Sequence, residues 1–260
     1  MQKTNKFMHK SWHLLTLTKP TLWAIAFLMS TSLLPLLAKP VVAGIPGTSN
    51  ISFWNPPGTK APQTSRGGAS RDGNSCGFAQ TKSVTDSLTP LMPKSNIGLT
   101  TKGHPTIFVY LPKSIAKEAL FTIKDEKGNK HYQTTLKLPQ NPGLMKINVP
   151  DSMSELVKGN KYNWSMLLVC GEDIEPDSPF VEGWIERVSP ESNNVSQNKP
   201  IDIELVKNLG KAGLWLDTMS ALVELRQSQP NNVEVAKTWK ILLEDKTVGL
   251  TELVGQPFIN

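Results

Sequence analysis

Cysteine is almost missing from this chain, at two in 260 residues, and histidine is scarce at four. Past residue 43 the histidines are His104 and His131, and neither stands in a metal-ligand spacing such as His-Glu-x-x-His or near a second cysteine. His104 precedes Pro105 where a strand begins, so a structural hydrogen-bonding role is expected for it. The same stretch lacks a Gly-x-Ser-x-Gly elbow and a phosphate-cradling glycine-rich turn between strand and helix. No nucleophile is nominated, and no catalytic residue, metal or cofactor is expected.

Clustered charge is missing as well. The net charge is +6, but residues 1–43 hold five of the 28 basic side chains (Lys3, Lys6, Lys10, Lys19 and Lys39) and no Asp or Glu, leaving 23 basic against 22 acidic in the remainder. A nucleic-acid footprint needs Lys and Arg gathered on one face. Nucleic acid is therefore excluded as a partner.

What is present begins with an export signal. A basic, polar stretch leads at Leu22 into LWAIAFLMSTSLLPLLA, an apolar run to Ala38, and after Lys39-Pro40 come the small residues Val41-Val42-Ala43 at the positions a signal peptidase reads. Cleavage between Ala43 and Gly44 is predicted. The competing reading is an uncleaved anchor, because Leu22 to Ala38 approaches the roughly 17 to 25 residues that cross a bilayer; membrane contact is expected through that segment alone. In an exported chain the pair Cys76 and Cys170 reads as a disulfide.

Residues 44–75 are rich in Gly, Pro, Ser, Thr and Asn and read as a flexible linker. After Cys76, short β-branched and aromatic segments alternate with turn formers. Strands are predicted at Thr106–Leu111, Ala119–Lys124, His131–Leu138, Leu144–Val149, Lys161–Cys170 and Phe180–Val188. Asp125 to Lys130, with Gly128 and Asn129, predicts a hairpin between the second and third. The fold class is mainly β with C-terminal α: an antiparallel β-sandwich of about six or more strands over residues 76–188, then a two- to three-helix segment. Residues 189–200 form a polar linker, and in 201–260 the hydrophobic period lengthens toward 3.6. Leu205, Leu209, Ala212, Leu216, Met219, Val223 and Arg226 share one helical stripe, Ala236, Trp239, Leu242 and Leu243 another, and Thr247 to Val254 suggests a short third helix.

Several stretches together carry a family resemblance: Leu88-Thr89-Pro90-Leu91, Gly98-Leu99-Thr100, His104-Pro105-Thr106, Gly159 to Trp164, Val181 to Val188, and Gly213-Leu214-Trp215-Leu216-Asp217. In these, over about Cys76 to Pro257, the chain resembles the cyanobacterial domain of unknown function family numbered 928. The resemblance implies an exported protein with no assigned activity, and so no catalytic residues to carry over.

The remaining candidates are weak. Glu182 and Glu186 share a strand face about 13 Å apart, too far for a glycosidase pair at roughly 5 to 9.5 Å. Ion pairing of Glu186 or Arg187 with a neighbouring strand is expected instead. Glu172, Asp173, Glu175 and Asp177 make an acidic loop whose spacing does not match an EF-hand. Trp164, Trp184, Trp215 and Trp239 fall in core stripes, although in an exposed row they would suit a glycan. The expected function is a non-enzymatic binding or structural module of the periplasm or cell envelope, with an envelope protein or glycan as partner. The alternatives are a hydrolase of envelope polysaccharide, for which Glu182, Glu186 and His104 would need a shared cleft, and an assembly factor or chaperone for exported proteins, marked by an open sheet edge or apolar groove.

Overall fold

The computed structural model describes residues 52–62, 76–78, 83–190 and 200–259, all within the unit Thr48–Asn260. The predicted signal segment with its Ala43–Gly44 cleavage site lies outside the described residues, as does most of the 189–200 connector.

The described strands are β1 (Thr89–Pro90), β2 (Ile97–Thr100), β3 (Thr106–Leu111), β4 (Glu118–Asp125), β5 (Lys130–Lys137), β6 (Gly143–Asn148), β7 (Lys161–Val169), β8 (Phe180–Arg187) and β9 (Phe258–Ile259), the longer ones rich in β-branched and aromatic residues. In β7 every second residue, Tyr162, Trp164, Met166 and Leu168, is buried, as a period of two requires when one face meets a core. Two sheets form the sandwich, in the orders β1-β3-β6-β9 and β2-β8-β7-β4-β5.

The sheets are mixed, which corrects the purely antiparallel expectation. β2 runs parallel to β8, with Ile97 beside Trp184, and β6 runs parallel to β9, with Leu144 beside Phe258. Both parallel pairings involve a short strand that reaches the sheet from a distant part of the chain. β2 is buried at every residue and so shows no alternation, while β9 is two residues long.

Behind the sheets come α1 (Ile203–Lys211), α2 (Trp215–Ser228) and α3 (Val233–Leu243), followed by a 3-10 turn at Thr251–Leu253. The side chains of Asp202 and Asn232 cap α1 and α3 by accepting from backbone N–H groups of their first turns. The apolar stripe from Leu205 to Arg226 spans two helices rather than one. Gly213, at φ +73°, ends α1 in the left-handed region, and Leu214 N–H bonds back to Leu209 O.

α2 is joined to the sandwich by polar as well as apolar contacts. Trp215 Nε1 donates to Leu91 O at 2.8 Å. Asp217, buried, accepts from Thr100 Oγ1 (2.6 Å), Thr101 N (2.9 Å) and Thr101 Oγ1 (2.8 Å). Gly98 lets Leu216 close on β2, because a Cβ there would lie 3.0 Å from the Leu216 side chain. Residues Phe53 to Pro57, inside the stretch expected to be a tether, also pack on the helices. The Phe53 ring occupies the space above Gly210, Asn55 N donates to Gly210 O, and Trp54 meets Trp215 edge to face at 4.9 Å. Two large aromatics in an otherwise polar stretch account for that docking.

Candidate functional site

Cys76 and Cys170 form the disulfide, with Cα atoms 5.1 Å apart across a sequence separation of 94. Cys76 is fully buried. It ties the segment before β1 to the residue that follows β7, and Ile115 N–H donates to Cys76 O at the same place. Beside it lies a cavity of about 470 Å³ lined in part by Asp86, Tyr110, Lys113 and Ile115. Burial, and secondarily the Asp86 carboxylate, push the Tyr110 hydroxyl up from its ordinary value.

The candidate residues His104, His131 and Arg187 converge on one connector, residues 149–160 between β6 and β7. His104 Nε2 bonds Met153 O at 2.7 Å, His131 Nε2 bonds Ser154 O at 3.0 Å, and Arg187 donates to Leu156 O at 2.6 Å. A β-bulge between Ile123 and Lys124 of the β4–β5 pairing takes His131 out of register and sets its ring 5.0 Å from that of Tyr162. Tyr162 in turn accepts from Val157 N. Arg187 also pairs with Glu155 at 2.7 Å, and this hydrogen bond and charge hold the Glu155 carboxyl below the usual glutamate range. His104 Nδ1 lies 3.4 Å from Asp151, on the exposed rim. These side chains hold backbone, which is the structural role expected of His104, and the expected ion pair of Arg187 is made to this connector rather than to a strand.

Glu182 and Glu186 lie on β8 opposite Ser165 and Lys161 of β7. The lining of the cavity beside the disulfide includes neither of them, nor His104, and the same holds for a second cavity of about 480 Å³ between the helix ends at Asp202, Leu225 and Glu234. The acidic loop is exposed from Gly171 to Asp177, and among the described residues no three of His, Cys, Asp and Glu gather as a metal-holding group. Trp164, Trp215 and Trp239 are fully buried and Trp184 is 6% exposed, so the four form no exposed row. No described helix is long and apolar enough to cross a membrane.

One feature was not singled out from sequence. Among the described residues, β5 is an open edge: it pairs with β4 alone, whereas the other three edge strands are either two residues long (β1, β9) or buried throughout (β2). Alternation in HYQTTLKL signals a strand but not its place in the sheet, which only topology fixes.

Comparison with known proteins adds one match. The model of the family described as Domain of Unknown Function (DUF928) covers residues 66–258. No curated protein matches the chain.

Proposed function

The chain belongs to the family described as Domain of Unknown Function (DUF928), and on that premise and the geometry above we propose that it is an exported, non-enzymatic binding module of the cell envelope. The Cys76–Cys170 disulfide carries the reading, because such bonds persist in oxidising compartments and are reduced in the cytosol. The apolar run from Leu22 and the small residues before Gly44 agree with export. His104 and Arg187, the groups best suited to chemistry by type, are occupied in fixing a connector, which favours a scaffold over a catalyst.

Of the alternatives, the open β5 edge favours an assembly factor, a binding protein for extended segments of other exported proteins. Intact mass of the protein from its host, with and without reductant and alkylation, tests export. The expected species begins at Gly44 and takes up alkyl groups only after reduction. A protein that keeps residues 1–43 and carries two free thiols would overturn the proposal. Crosslinking in intact cells tests binding, with a reproducible envelope partner as the expected result.

A further inference from the structure

The β5 edge has three properties that together specify an occupant. The first is its ladder. Leu138 N–H bonds Lys117 O, and the register places Leu136, Thr134 and Tyr132 opposite Ala119, Phe121 and Ile123. By the alternation of an antiparallel pair, these residues bond β4, and the backbone N–H and C=O groups of Gln133, Thr135 and Lys137 point away from the sheet.

The second property is the fall in burial across the hairpin. Ala119, Phe121 and Ile123 are fully buried, but their partners Leu136, Thr134 and Tyr132 are only half-buried. The core ends beneath β5 and leaves a half-covered row, Tyr132, Thr134 and Leu136, that a further strand would cover.

Charge is the third. β5 reads KHYQTTLK and holds no acidic residue, with exposed Lys130 and Lys137 at its two ends. Lys124, also exposed, stands opposite Lys130. Of the acids on the hairpin, Asp125 is engaged by Lys127 N, Asn129 N and Asn129 Nδ2, Glu126 is exposed in the turn and Glu118 stands opposite Lys137, so that four lysines (Lys124, Lys127, Lys130 and Lys137) face three acids. A second copy pairing antiparallel along the whole strand would bring Lys130 against its counterpart's Lys137, which edge lysines are suited to prevent.

We infer that β5 binds an extended acidic polypeptide segment by strand addition, with the partner's apolar residues over Tyr132, Thr134 and Leu136 and its carboxylates beside Lys130 and Lys137. The inference rests on the binding-module reading and supplies its partner class. An occupant of this kind completes the outward ladder, the half-covered row and the charge together.

The test uses the purified full-length protein and fluorescent peptides of about ten residues, long enough for one strand. One peptide alternates Glu and Val, and another alternates Lys and Val. Binding of the acidic peptide is expected to be at least about tenfold tighter and to weaken with salt. Thr135→Pro removes an outward N–H and no bond to β4, a position where an edge strand tolerates proline, and should weaken binding about tenfold with an unchanged unfolding midpoint. The pair Lys130→Glu and Lys137→Glu should reverse the charge preference.

Equal affinity for the two peptides, no binding of either, or unaltered binding by Thr135→Pro would overturn the inference. So would self-association of the protein that Thr135→Pro abolishes, since the edge would then serve a second copy. If the crosslinked partner in cells survives Thr135→Pro, this edge is the wrong surface although the binding-module reading stands. Loss of that reading itself is marked by wild-type protein that captures nothing.

Discussion

Asp217 illustrates how a buried charge is made tolerable. Its carboxylate is 5% exposed but accepts from two hydroxyls and one backbone N–H, so the cost of leaving water is offset by charge-assisted bonds from Thr100 and Thr101. Removing the acceptor leaves those donors buried and unpaired. Asp217→Ala is expected to lower stability by about 3 kcal/mol, and Asp217→Asn, which keeps one oxygen, by less. Urea unfolding with an unchanged slope checks this. Gly213 bears a different constraint, since its φ of +73° lies where a Cβ is disfavoured, and that Cβ would also sit 3.0 Å from Asn55 O. Gly213→Ala should cost about 1 to 2 kcal/mol, read from the same transition. A midpoint equal to that of the wild type would show that the α1–α2 corner relaxes freely.

At the scale of elements, the connector between β6 and β7 has no regular structure and is fixed from outside by His104, His131 and Arg187. The Glu155 part of that restraint depends on pH. Its carboxyl is held low by Arg187, so the contribution is complete above the ordinary glutamate range, about pH 4, and is lost as pH falls through the depressed folded value. The gap in thermal midpoint between wild type and Glu155→Gln should therefore be present at neutral pH and close in acid; a gap that persists in acid would mean the side chain acts by packing. The six strands expected from β-branched and aromatic segments between turn formers each coincide with an observed strand to within one residue at either end, because each is six or more residues long and bounded by turn residues. β2 escaped notice because it is buried on all sides, and β1 and β9 because two residues carry no period. The break at Gly213 was hidden because Leu209, Ala212 and Leu216 keep a helical spacing across it. The meeting of His104, His131 and Arg187 was beyond sequence altogether, since it depends on β5, β8 and the bend before β3 arriving at one connector.

Across the whole molecule, the disulfide joins parts of the chain that the sheets alone leave independent. β7 is held on both sides, by β4 and β8, and does not need Cys170 to stay in register. The residues around Cys76 have no strand of their own, and among the bonds seen there is one from Ile115 N–H to Cys76 O. The bridge therefore acts chiefly by restricting the unfolded chain over a separation of 94 residues, for which chain entropy gives an upper figure of about 4 to 5 kcal/mol. The double variant Cys76→Ala with Cys170→Ala should keep the near-ultraviolet circular dichroism of the wild type, because Trp164, Trp215 and Trp239 lie in cores that other contacts build. Its urea midpoint should fall and its slope should rise, as a less restricted unfolded state exposes more surface. A variant without the near-ultraviolet signal would mean instead that the bridge assembles the sandwich, and oxidation of the two cysteines would then be a condition of folding rather than a source of added stability.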